Sequence, residues 1–157
     1  MTQLVSKELP REVEAISHTI IGCAVEVHRV LGPGLLESLY EEALAHELAI
    51  AGLSARRQVE VDVEYKGIVL RGQRLDLVVE GRVVVELKAI NQLAEIHAAQ
   101  LLSYLRAANM PLGLLFNFNT LRVTESMRRI FNHRAIKNTS GERHDVSHVR
   151  SNTPSCD

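Results

Sequence analysis

Three charged residues stand where apolar side chains belong. Glu86 and Lys88 interrupt VVVELKA, a segment that otherwise reads as a strand buried on both faces. Side chains alternate along a strand, so Val84, Glu86 and Lys88 share one face and Val83, Val85, Leu87 and Ala89 the other. Burying an ion costs on the order of several kcal/mol unless another charge or a metal offsets it. Asp76, in LDLVV, repeats the anomaly ten residues upstream. Two carboxylates and an amine on neighbouring strands suit a hard divalent cation such as Mg²⁺ or Mn²⁺, which takes oxygen ligands and retains water. Asp76, Glu86 and the backbone carbonyl of Leu87 would be the ligands. The ion would acidify a water and offset charge on a phosphate. Lys88 would position that water or stabilise the charge that builds in the transition state.

This arrangement carries a geometric condition. The carboxylates face each other only if residues 76 and 86 are paired. A two-residue turn at Glu80-Gly81 would instead set Asp76 opposite Val85. A three-residue loop, Glu80-Gly81-Arg82 with Gly81 at positive φ, or a bulge, is therefore expected. The plainer alternative is a Glu–Lys pair on a half-exposed strand, with Asp76 capping a turn.

The elements that must hold these residues follow from periodicity. Val13, Ile16, Ile20, Ala24, Val27 and Leu31 recur at helical steps, giving a helix over about Pro10–Leu31 that Gly32-Pro33-Gly34 stops. A second helix runs over about Leu35–Ala51, with Gly52 at its end. The period then changes to two: strands are predicted over Val59–Tyr65, Ile68–Val79 (interrupted near Gly72) and Val83–Ala89. Leu93–Ala108 returns to helical spacing, and Leu112–Phe118 reads as a buried strand. Leu121–Phe131 is read as a strand leading into a short helical end. The expected product is an α/β sandwich with a mixed central sheet over residues 1–132, followed by a polar, flexible tail over 133–157.

Composition narrows the function classes. The chain has 157 residues, one domain's worth, and only 4% aromatics, so its core must be aliphatic. No apolar run reaches the length of about 20 residues that a membrane helix needs. Two cysteines, Cys23 and Cys156, make neither a disulfide framework nor a metal site, which fits a cytoplasmic protein. A net charge of −1 argues against holding a polyanion by charge alone. Arg56, Arg57, Arg71 and Arg74, and Arg122, Arg128 and Arg129, are two local groups that could meet phosphates or serve only as surface charge. No aromatic platform for stacking bases is visible.

GLLESLY, from Gly34 to Tyr40, resembles the signature of the GxxExxY proteins, which are assigned to the PD-(D/E)XK nuclease superfamily. The resemblance continues through RLDLVVEGRVVVELKA, HAAQLLSYL and PLGLLFNF, covering roughly residues 15–131. It implies a restriction-endonuclease-like αβββαβ core with four or more strands. It implies Asp76 as the first motif acid, although no proline precedes it, and Glu86 and Lys88 as the (D/E)-x-K pair. Gln100 and Tyr104 would match a Q-x-x-x-Y helix, and Glu37 would be an additional acidic ligand. Read from the residues alone, Glu37 equally suits the dipole of its helix start, Tyr40 a place in the core, His97 the helix surface on the face of Gln100, and His28 a structural hydrogen bond. The expected function is Mg²⁺- or Mn²⁺-dependent hydrolysis of nucleic acid, DNA before RNA, with a homodimer compatible. The alternative is a nucleic-acid-binding or protein-interaction module that keeps the fold without turnover.

Overall fold

A computed structural model describes residues 9–138 and 149–150. Helix α1 (Arg11–Leu31) buries Val13, Ile16, Ile20, Ala24 and Val27 of the stripe its spacing predicts, whereas Leu31, at its last position, is exposed. It ends at Gly32, whose φ of 67° few other residues adopt and whose N–H donates to His28 O at 2.8 Å. Helix α2 (Glu37–Ile50) follows after a short loop, and its first turn begins with Glu37.

Strands β1 (Ala55–Tyr65) and β2 (Ile68–Val79) form a long antiparallel hairpin around Lys66-Gly67, both at positive φ. Strand β1 starts four residues before the predicted Val59, because Arg56, Arg57 and Gln58 hide the alternation. The register shifts between Val61 and Val63, opposite Gly72 at φ 105°, so the interruption expected there is a bulge. Strand β3 (Val83–Lys88) pairs antiparallel with β2, helix α3 (Glu95–Ala108) crosses over, and β4 (Leu112–Asn117) lies parallel to β3.

Beyond β4 the order of elements is the reverse of that expected. A helical turn, α4 (Val123–Ser126), comes first, held by Ser126 Oγ donating to Asn117 O at 3.0 Å. The strand β5 (Arg128–Phe131) follows and pairs with β4. Its Arg128-Arg129 start, on a sheet edge, masks the apolar signal. The ordered unit also continues past residue 132. Helix α5 (His133–Asn138) buries Ala135 and Ile136, too short an apolar pair to register as periodic, and β6 (Val149–Arg150) pairs with β1. The remainder of the expected tail lies outside the described residues.

The sheet has the order β5-β4-β3-β2-β1-β6 and is mixed, as an αβββαβ core requires. Helices α1 and α2 cover one face over Leu77, Val79, Val85, Leu87 and Phe116. Helix α3 covers the other, with Leu101 and Leu105 on Val78, Val84 and Leu115. Close approach is built in at Gly113, where an added Cβ would meet the Leu101 side chain at 2.9 Å. Helices on both sides explain why β3 and β4 are almost continuously apolar, and why a charge inside them needs a reason.

Candidate active site

The β2–β3 connection decides where the carboxylates point. Val79 pairs with Val83, Val78 with Val84 and Leu77 with Val85, leaving the three-residue loop Glu80-Gly81-Arg82. Gly81 has φ 62°, as the parity argument requires. Glu80 shares the left-handed region at φ 54°, held there because its carboxylate accepts from Ser54 N–H and its own N–H donates to Ser54 O at 2.8 Å.

The next pair in this register is Asp76 with Glu86, and there the ladder stops. The carboxylates take the backbone amides that a continued ladder would have used. Asp76 N–H donates to Glu86 Oε1 at 3.1 Å, and Leu87 N–H donates to Asp76 Oδ2 at 2.9 Å. Across the other edge of β2, Gln58 lies at φ 49° and is unpaired, although Arg57–Leu77 and Val59–Leu75 keep the register on either side. Leu75 packs beneath α3 while Leu77, two residues on, packs against α1 and α2. The strands thus rotate their faces about Asp76, which opens the sheet surface at the acid.

The electrostatics follow from this crowding. Glu86 is buried, 7% exposed. Burial, and then the neighbouring Asp76 charge, push its pKa up to about 8. Glu37 reaches the same place from the first turn of α2: burial of its carboxyl and the Asp76 charge raise its pKa, while Lys88 and the Ala89 amide oppose the shift. Lys88 is half-buried, with its charge felt by both Glu86 and Glu37. On α3, Tyr104 is raised by burial and by Glu86, an effect that the neighbouring Gln73 and Gln100 side chains oppose. Asp76, Glu86, Lys88 and Glu37 are therefore electrostatic neighbours at the end of the β2–β3 ladder, and Tyr104, with Gln100 near it on α3, feels Glu86 and Asp76.

Sequence reasoning missed the layer behind them. Glu41, one turn after Glu37 and 6% exposed, accepts from Arg57 Nη2 at 2.9 Å and from the Gln58 amide, which reaches on towards Asp76. The i, i+4 step from Glu37 was a usable signal for Glu41; the left-handed Gln58 had none. Tyr40 is fully buried, stacked on Phe118 at 4.6 Å, and its hydroxyl donates to Gly32 O at 2.6 Å and accepts from Leu35 N–H at 3.1 Å. It therefore fixes the loop that delivers Glu37. His97 does not reach into the site: its Nδ1 accepts from Ala94 N–H at 2.9 Å, capping α3. His28 bonds Thr120 O at 2.8 Å, also a structural role. Of the arginines considered for phosphate contact, Arg57, Arg74, Arg122 and Arg129 are engaged by Glu41, Glu60, Glu125 and Glu14.

The donor set fits a hard divalent cation. Every candidate ligand is oxygen, and two adjacent carboxylates, one pushed up to about 8, are the repulsive pair that a cation relieves. Among the described residues, no three His, Cys, Asp or Glu side chains already converge as a metal cage, so such an ion would rely also on backbone and water oxygens.

With this geometry in place, comparison with known proteins is decisive at the level of the family. The sequence profile of the PD-(D/E)XK nuclease superfamily matches residues 14–130. The chain belongs to the PD-(D/E)XK nuclease superfamily. No curated protein matches the sequence. A solved structure titled "Crystal structure of SSO0001" is similar at 16% identity and a TM-score of 0.47, covering 81% of this chain. The chain spans 64% of that structure's length, a little under two thirds. The PD-(D/E)XK membership agrees with the mixed sheet flanked by helices and with the order helix, three strands, helix, strand around the acidic opening. None of the described helices is long and apolar enough to cross a membrane.

Proposed function

We propose that this domain hydrolyses phosphodiester bonds of nucleic acid, DNA before RNA, with a divalent cation held by Asp76 and Glu86. The observation that carries the reading is the pairing of those two carboxylates where β2 and β3 part, with Lys88 beside them. Gly34, Glu37 and Tyr40 support a place among the GxxExxY proteins, and the Cys23 thiol, buried and unpaired, suits a cytoplasmic protein.

In this reading Asp76, Glu86 and the Leu87 carbonyl would hold Mg²⁺ or Mn²⁺ together with water, and Glu37, from α2, would add an outer carboxylate that favours the ion. When bound, such a cation supplies Lewis acidity, acidifying water and offsetting negative charge on a phosphate. The chain's own groups do the rest. Lys88 directs its ammonium at the attacking water or at a phosphate oxygen, where its charge favours the more anionic transition state. Tyr104 and Gln100, four residues apart on α3, present a donor pair that orients the phosphate. Glu41, through Gln58, keeps Asp76 directed into the opening. A second reading, a nucleic-acid-binding or protein-interaction module without turnover, is favoured by the net charge of −1 and by the carboxylate pairing of Arg57, Arg74, Arg122 and Arg129, four of the seven arginines that could meet phosphates.

A cleavage screen over single- and double-stranded DNA and RNA, with Mg²⁺ and with Mn²⁺, separates the two readings. Metal-dependent cleavage that falls at least about 1,000-fold in Lys88→Ala supports hydrolysis. Cleavage that survives in both Lys88→Ala and Asp76→Asn rejects this mechanism, and binding without any cleavage favours the module.

A further inference from the structure

A polar cavity lies one strand away from Lys88. Its volume is about 270 Å³, and it opens between the β3–α3 loop and the β4–β5 connection. It sits at the carboxyl ends of β3 and β4, the parallel pair of the sheet, where open α/β sheets characteristically take ligands. Lys88 and Asn117 are register partners, so the cavity begins immediately beside the active opening.

Asn117 builds this cavity. It is 1% exposed; its Nδ2 donates to Ile90 O at 2.8 Å, and its Oδ1 accepts from Ile90 N–H at 3.1 Å. The side chain thereby fixes the loop that leaves β3. Thr120 and Ser126 both donate to Asn117 O and so keep hydroxyl lone pairs for another partner. The Asn91 and Gln92 amides also line the cavity and make no hydrogen bond among the described residues, so each offers both a donor and an acceptor. Leu93 and Met127 supply apolar wall, and Glu125 adds a carboxylate that Arg122 pairs at 3.4 Å. Arg128 lines the same cavity and is exposed; unlike Arg129, it has no carboxylate partner among the described residues.

We propose that this cavity takes one nucleobase of a strand whose phosphate lies at Asp76, Glu86 and Lys88, with Arg128 contacting a neighbouring phosphate. The proposal rests on the nuclease reading of the adjacent site. The Asn91 and Gln92 amides, which both donate and accept, together with the Thr120 and Ser126 hydroxyl oxygens as acceptors, match the mixed edge of a base, the apolar wall meets its face, and the Arg128 guanidinium pairs bidentately with phosphate. Without an aromatic platform, recognition falls on the base edge, so the cavity discriminates between bases.

Photo-crosslinking of the full chain to single-stranded oligonucleotides tests this without requiring turnover. Oligonucleotides carrying one 5-iodouracil or 4-thiouracil at successive positions are irradiated, and the attached peptides are mapped by mass spectrometry. The expected result is attachment within residues 91–93 or 126–128 from one or two adjacent positions of the strand. Yield should fall at least about five-fold in Asn91→Ala/Gln92→Ala and in Arg128→Ala, variants that remove side chains bearing no internal hydrogen bond and should leave the fold intact. Attachment elsewhere, no attachment, or yields unchanged in those variants overturns the proposal. Parallel cleavage assays keep the two ideas apart. Cleavage with attachment outside the cavity retains the nuclease and removes the pocket, whereas attachment inside it without cleavage does the opposite.

Discussion

Glu86 is the residue on which the chemistry turns. A carboxyl group that is buried and faces another carboxylate favours its protonated form, which is why its pKa rises to about 8. The folded state therefore binds a proton that the unfolded chain releases at ordinary carboxylate pH. The associated stability is fully present below the unfolded value of 4.5 and is lost as pH rises through about 8. In chelator-containing buffer, the melting temperature should fall between pH 6 and pH 9, and saturating Mg²⁺ or Mn²⁺ should flatten that fall. A rise over the same range without metal would show that Glu86 is not held in this way. Glu86→Gln, which imitates the neutral form, should raise the metal-free melting temperature at pH 8 by about 2–4 °C, the shift that roughly 1 kcal/mol produces in a domain of this size, while abolishing cleavage.

At the scale of elements, the account turns on one loop length and one clasp. The three-residue β2–β3 loop sets the parity that places Asp76 opposite Glu86, and this was legible in the sequence because only that parity made chemical sense of both acids. Strand β2 and the bulge at Gly72 were legible for the same kind of reason: alternation and glycine both mark the backbone locally. The pucker at Gln58 was not, since a glutamine in the left-handed region is imposed by the tertiary hydrogen bond to Glu41 rather than by its own preference. The reversed order of α4 and β5 escaped because Ser126 holds its turn through contacts with Asn117, nine residues away. The Tyr40 hydroxyl carries a further expectation. Tyr40→Phe keeps the stacking on Phe118 but releases Gly32 O and Leu35 N–H, and should cost about 1 kcal/mol by denaturant unfolding. Because that loop delivers Glu37, metal affinity should weaken together with stability; unchanged affinity would remove Glu37 from the ion's surroundings.

Over the described residues the fold is a two-sided sandwich, with α1 and α2 on one face of the sheet, α3 on the other, and the carboxylates where β2 and β3 part. Packing between α3 and β4 is tight enough that Gly113→Ala should destabilise the domain by about 1–3 kcal/mol, since the added Cβ would strike Leu101. Equilibrium unfolding measures this directly, and a neutral result would mean that α3 can retreat from the sheet. The near-neutral charge and the paired arginines also set how a nucleic acid should bind. With Arg56, Arg71 and Arg128 the members of the two arginine groups that no carboxylate pairs among the described residues, log affinity against log salt should have a shallow slope, on the order of −1 to −3, as for two or three phosphate contacts. A steep slope would point to a basic surface other than the one described. The cleavage and metal-affinity outcomes depend on the acidic pair holding a cation. The most direct test is calorimetric titration of Mn²⁺ into the wild-type chain and into Asp76→Asn. One site in the wild type that is lost in the variant is the expected result; no binding in the wild type, or equal binding in both, would contradict it.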